Sequence, residues 1–383
     1  MTRSHSKGRR WPAVVLVGIT AVVTAACASS SASGSGNSSS GSSGANDSAG
    51  ISAARAALAP YEGHPSAFPA TEPLAKRPAA GSRFVYLQCS TPVCAQIGQL
   101  LAAPAKALGV TLSVINSGSS ATSSQAAAAA ALAQKPAAVL LPAVDPQLFG
   151  GTLHQLDAAG IPVTGVGIID GAPYGVEESA GGQASVERAG QLMADWVVAH
   201  KGAAANAVFF GTPELSFSAP MQTAFADTLK QNCPSCRATY QQLSVATFGT
   251  TAPGDVVSYL QAHPSTNTVV FASMEGATGL AAALKDAGTH VTTLGFAPSP
   301  SNLQDIRDGG LTAGLGLDLP VQEWVQVDLA ARLLAHQKIP APELNVDLEF
   351  LTKDNVNSQD TTRGWTGYPD AAQRFAKLWF PAS

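Results

Sequence analysis

Charged side chains are scarce in this chain. Lysine, arginine, aspartate and glutamate make up 13% of its 383 residues, 22 basic against 26 acidic, and the formal net charge is -4. Gripping nucleic acid or an anionic surface takes a basic stripe. None is present, so no nucleic acid is expected among the partners. Metal-ligand spacing is missing too: the seven histidines are scattered, and no HExxH or paired-ligand pattern occurs. The chain has no P-loop and no G-x-S-x-G elbow between a strand and a helix. Gly165-Val166-Gly167-Ile168-Ile169-Asp170 opens like a dinucleotide fingerprint but ends on Asp where a third glycine belongs. We therefore assign no catalytic residue, no metal and no cofactor, and read the protein as a non-enzyme. The apolar run Trp11 to Val23 is too short to span a bilayer comfortably.

That run has another use. Arg9 and Arg10 precede it and Thr24-Ala25-Ala26-Cys27 follows, the order of a secretory leader (residues 1–27) ending at a cysteine that carries lipid. Thr24 stands where a bacterial lipobox usually has Leu. The expected location is the extracytoplasmic face of the cell membrane, held by a lipid anchor on Cys27. Residues 28–81 read as a flexible tether. Ala28 to Gly50 is almost wholly Ser, Gly and Ala, too poor in apolar side chains to offset ordering entropy. Pro60, Pro65, Pro69, Pro73 and Pro78 then leave room for at most one short helix, Ala53 to Leu58.

With Cys27 assigned to lipid, Cys89, Cys94, Cys233 and Cys236 remain, an even set for an oxidising compartment. Four cysteines allow three pairings. Proximity favours Cys89 with Cys94 and Cys233 with Cys236, without excluding the others. The Cys233-Pro234-Ser235-Cys236 spacing also suits a redox pair, which needs its first cysteine at a helix N-terminus to stabilise thiolate. The helix predicted from Thr223 to Lys230 ends just before Cys233 instead, which favours a structural staple.

From Ser82 onward, short apolar runs alternate with Ala/Leu-rich helical stretches. Phe84–Leu87, Thr111–Ile115, Ala138–Leu141 and Pro162–Val166 read as strands, with helices at Ala95–Leu108, Ser123–Gln134 and Leu148–Ala159 between them. Asp145, ahead of Pro146, caps the last of these helices. A second series runs from helix Ser185–His200 to strand His290–Gly295. A tail follows, with helix Val321–His336, strand Leu344–Leu351 and Phe375–Trp379. Consecutive apolar positions in the strands imply parallel sheets covered on both faces. The fold class is α/β, two doubly wound parallel-sheet lobes.

The order of these elements, with Ala107-Leu108-Gly109, Leu141-Pro142-Ala143-Val144-Asp145, Ala158-Ala159-Gly160-Ile161-Pro162-Val163, Phe271-Ala272-Ser273 and Asp308-Gly309-Gly310-Leu311, resembles the type 1 periplasmic binding proteins, the sugar-binding branch of ABC-importer substrate-binding proteins. The resemblance covers Arg83 to Phe380. It implies a clamp whose chain crosses three times between lobes, near Gly181, near Ala297 to Leu317 and near Pro340. The N-terminal lobe would be residues 82–182 plus about 318–341, and the C-terminal lobe 183–317 plus about 342–383. It also implies a small-molecule ligand, an ABC permease as membrane partner, and a monomer. Local disulfides would leave such a hinge free. A sensor lipoprotein signalling to a receptor or kinase is the alternative, and an enzyme on the same fold a remoter one.

The resemblance places the ligand at the strand-end loops, where sugar-binding relatives carry carboxylates, amides and arginines. Here Gly167 replaces an Asp, Phe217 and its neighbours an arginine, Met274 and Glu275 an Asn and Asp, and Ala297 an Asp. Asp318 keeps a polar group where relatives carry an amide. The expected ligand is therefore less hydroxylated than a simple sugar. Its expected contacts are Gln88, Thr91, Gly167, Phe217, Met274, Glu275 and Asp318. Phe217 and Met274 would equally serve as packing at a loop base, and Glu275 as a carboxylate at a helix N-terminus.

Overall fold

The computed structural model describes residues 40–65, 67–356 and 362–381. Cys27 and the expected leader lie outside them. Two sheets organise the chain. The first comprises β1 (Arg83–Cys89), β2 (Thr111–Gly118), β3 (Ala138–Leu141), β4 (Val163–Val166) and β5 (Glu178–Ala180), all parallel, in the order β2-β1-β3-β4-β5. The second comprises β6 (Asn206–Gly211), β7 (Arg237–Gln242), β8 (Thr268–Phe271), β9 (Thr292–Phe296), β10 (Ala313–Leu317) and β11 (Leu348–Thr352), in the order β11-β10-β9-β8-β6-β7. Its strands are parallel except β11, which runs antiparallel to β10. Without β11 the second order repeats the first, and in each sheet the direction of winding reverses beside the first strand.

Helices cover both faces of each sheet. On the first sheet α2 (Pro92–Leu108) and α10 (Leu319–Leu334) bury one face, while α3 (Ala121–Ala133) and α4 (Thr152–Ala158) bury the other. On the second, α5 (Gln183–Lys201) and α6 (Ser218–Asn232) oppose α7 (Ala252–Ala262), α8 (Leu280–Asp286) and α9 (Pro300–Arg307). Strands β3, β4 and β8 are buried at every position, which is why they read as continuous apolar runs. Glycine breaks one predicted helix and starts another late. Leu148–Ala159 divides at Gly150 (φ +58°), and α8 begins only after Gly279 (φ +84°), which parts it from the turn Met274–Ala277.

Part of the predicted tether is helical. Ser40–Leu58 forms α1, which packs on α5 and α6 with Ala54 and Leu58 buried. Isolated Ser/Gly sequence makes a poor helix, so tertiary burial supplies what propensity lacks. Gly50 lies against the end of α6 so closely that a Cβ there would sit 1.7 Å from the Asn232 carbonyl oxygen. A glycine that reads as linker is thus a packing contact. The segment beyond α1 then reaches the first lobe, where Leu74 is buried and Arg332 of α10 donates to the Glu72 carbonyl at 2.6 Å.

The C-terminal tail also departs from expectation. Residues 342–383 were expected with the second lobe, but only β11 and its surroundings stay there. Helix α11 (Ala371–Trp379) packs on α2 and α10 of the first. Phe375 and Trp379 stack on Trp324 with ring centroids 5.6 and 5.4 Å apart, an aromatic cluster that holds α11 to α10.

Cys89 is bonded to Cys94 and Cys233 to Cys236, one pair in each lobe. Cys233 follows α6 rather than opening a helix. Among the described residues no helix is long and apolar enough to cross a membrane, and no cluster of His, Cys, Asp and Glu could hold a metal ion.

Candidate functional site

In doubly wound sheets a crevice opens at the carboxyl ends of the strands where the winding direction reverses. Here both such points face one cavity. Its walls come from the loops after β1, β3 and β4 on one side and after β6, β8 and β9 on the other, and it encloses about 100 Å³. One water molecule needs roughly 10–15 Å³ on that scale. The space suits a small molecule rather than a chain.

The lobes are shut around it. The Ser216 hydroxyl donates to the Gly167 carbonyl at 2.9 Å, Gln96 Nε2 donates to the Arg363 carbonyl at 2.9 Å, and the Val93 N–H donates to Glu275 Oε1 at 2.9 Å. Each bond reaches from one lobe to the other. Gly181 marks the first crossing with φ +70°, its N–H donating to the Leu344 carbonyl of another crossing segment. The left-handed turn there favours glycine.

Four of the seven expected contact residues lie on the cavity wall: Thr91, Gly167, Phe217 and Glu275. Thr91 caps α2, its hydroxyl oxygen accepting from the Cys94 N–H. At Gly167, φ +61°, a Cβ would stand 3.1 Å from the Ala143 Cβ and in ordinary contact, 3.5 Å, with the Phe217 ring. Phe217 meets Phe296 edge to face, centroids 5.8 Å apart.

The other three lie elsewhere. Met274 is fully buried beneath the wall; a Cβ at Gly295 would be 2.7 Å from its Cγ, so the glycines of β9 and β10 make its berth. Gln88 is half-buried on β1, its Oε1 over Gly98 of α2. Asp318 caps α10. Its carboxylate accepts from the Val321 N–H (3.1 Å), the Gly367 N–H (2.8 Å) and the Thr366 hydroxyl (3.1 Å). It is a clasp between crossing segments, not a wall residue.

Burial pushes the Asp318 carboxyl up to about 7 against the pull of those donors, with Asp347 adding to the rise. Burial likewise raises Glu275 to about 7, opposed only by Val93. The expected contact residues leave out Gln322 of α10 and Trp365, and the Cys89–Cys94 disulfide too, although it lies in a strand-end loop where the ligand was expected. The disulfide's place follows from β1 ending at Cys89. Trp365 comes from a return of the chain that no local pattern announces.

The fold and site define a two-lobed α/β clamp shut over a small-molecule cavity at paired switch points. A model of the periplasmic binding protein domain matches residues 84–338. The chain belongs to the periplasmic binding protein family. Solved structures agree in fold. A myo-inositol binding protein from Caulobacter is 20% identical with a TM-score of 0.64, covering 75% of this chain and 99% of its own. An ABC transporter solute binding protein from Agrobacterium vitis, with bound allitol, is 20% identical at TM-score 0.64, covering 73% and 97%. An arabinose binding protein from Geobacillus stearothermophilus is 16% identical at TM-score 0.58, covering 73% and 99%. No curated protein matches the sequence.

Proposed function

We propose that this protein is the solute-binding component of an ABC importer, capturing one small molecule between its lobes and presenting the closed clamp to a membrane permease. The observation that carries this reading is the shared cavity, walled by both switch points and shut by hydrogen bonds from lobe to lobe. Closure gives a permease two surfaces to distinguish. Binding occurs without turnover, in keeping with the structural neighbours, which are named as binding proteins. Cys27 carries the lipid, and the chain acts as a monomer on the extracytoplasmic face of the membrane. The two lobes meet at the crossings near Gly181, Asp318 and Val346, with α11 belonging to the first.

The ligand carries fewer hydroxyls than a simple sugar. Of the neutral polar side chains on the wall, Thr91, Gln96, Ser299 and Gln322 each already make a hydrogen bond within the protein, which leaves the hydroxyls of Ser185 and Ser273 for a ligand. Each sugar hydroxyl buried without a partner would cost on the order of 1 to 3 kcal/mol. Isothermal titration with arabinose, allitol and myo-inositol should show no sub-micromolar binding; tight binding of any of them would overturn this part. Labelling with a fatty-acid analogue should mark the wild type and not Cys27→Ser, and equal labelling would contradict the anchor.

A further inference from the structure

The charge of the cavity is one-sided. Among the described residues Glu275 is the one ionisable side chain on its wall; neither lysine, arginine nor histidine of those residues lines it, and the cysteines there are joined in a disulfide. The rest of the wall is largely apolar, with Phe217, Phe296 and Trp365 among its larger surfaces. Glu275 sits in the short turn Met274–Ala277 after β8, itself 5% exposed. Its single hydrogen bond comes from Val93, in the first turn of α2 across the cleft.

A buried carboxylate needs a counter-charge or several donors. Asp318 has three donors; Glu275 has one, and the partial positive charge of the α2 N-terminus offsets only part of its charge. Left alone Glu275 tends to take up a proton, so what keeps it ionised must come with the ligand. Resting on the solute-binding reading, we propose that the cavity takes a small organic ammonium ion, an apolar body of a few carbons bearing one protonated amine, with Glu275 as its counter-ion. The wall supports this in three ways. An anionic solute would meet a carboxylate and no cation. A polyol would leave hydroxyls against apolar surface. An ammonium gains both the carboxylate and the aromatic faces that attract cations. Glu275 thereby joins ligand to closure, because the same carboxylate accepts from Val93 of the opposite lobe.

The test uses three probes of one shape on the full chain at about pH 8: cyclopentylammonium, cyclopentanol and cyclopentanecarboxylate. The amine, like that of lysine, keeps its proton to about pH 10. Titration calorimetry should give one-to-one binding of cyclopentylammonium at least about tenfold tighter than cyclopentanol, and none of the carboxylate. Glu275→Gln should abolish the preference for the ammonium while leaving the melting temperature close to wild type. Ala143→Trp, which fills the cavity, should abolish binding altogether. Equal or tighter binding of the alcohol or carboxylate, or a preference that survives Glu275→Gln, overturns the ammonium assignment. Binding of arabinose, allitol or myo-inositol that Ala143→Trp removes overturns it too, yet leaves the solute-binding reading standing. Silence of every probe and polyol contradicts both.

Discussion

Two buried carboxylates, one at the hinge and one in the cleft, are pushed to the same value by the same cause and do different things. Asp318 and Glu275 both rise to about 7 through burial. Asp318 accepts from two backbone N–H groups and a hydroxyl, tying the start of α10 to the segment at Thr366 and Gly367. Glu275 accepts one bond, from the opposite lobe, beside the cavity. A perturbed acid therefore does not by itself mark a binding site. The number of its partners, and which lobe they come from, separates a structural clasp from a group that waits for a ligand.

The largest effect should come from Asp318→Ala, which orphans three donors and removes the cap of α10. We expect a loss of roughly 2 to 4 kcal/mol in urea unfolding, with Asp318→Asn recovering part of it. A loss under about 0.5 kcal/mol would remove the distinction between the two acids.

Acidity should sharpen it next. Both carboxyls have folded values raised above their ordinary ones, so their contribution to stability is fully present below about pH 4 and is lost as pH rises through about 7. Between about pH 5 and pH 8 unfolding free energy should fall, on the order of 1 to 3 kcal/mol from these groups. Glu275→Gln and Asp318→Asn should each flatten the profile. A slope untouched by either places the titration elsewhere.

A third acid provides the scale. Asp145 caps the turn Pro146–Phe149 from a half-buried site, accepting from the Gln147 N–H at 2.9 Å. Asp145→Ala should cost only about 0.5 to 1 kcal/mol. Smallest of all should be the stability change on Glu275→Gln at about pH 8, near zero or slightly stabilising, because a buried charge is removed at the cost of one bond. A large loss there would make Glu275 a structural residue like Asp318.

Much of this was legible in the sequence, for stated reasons. Strands buried on both faces read as apolar runs, Ala138–Leu141 and Thr268–Phe271 among them, so the alternation and fold class followed. Glu178–Ala180 escaped notice as a three-residue strand with polar members. Of helix α1 only the end, Ala53 to Leu58, is legible, because Ser and Gly argue for a tether over the rest and only burial against α5 and α6 overrides them. In the site, loops at strand ends located Thr91, Gly167, Phe217 and Glu275. Met274 and Glu275 show the limit, since adjacent residues in one tight turn point to core and to cavity. Gly295 and Gly314, on neighbouring strands, were the trace of the berth that Met274 fills. Asp318 was decipherable in principle. Asp-Leu-Pro before an apolar helical run carries the cap signature by which Asp145 was read.

The central claim is that the clamp closes on one small molecule in the cavity between its sheets. Native mass spectrometry of the full chain, incubated with a metabolite extract and desalted, tests it most directly against Ala143→Trp. The account predicts one small-molecule adduct on the wild type and none on the variant. No adduct on the wild type, or the same adduct on both, would contradict it.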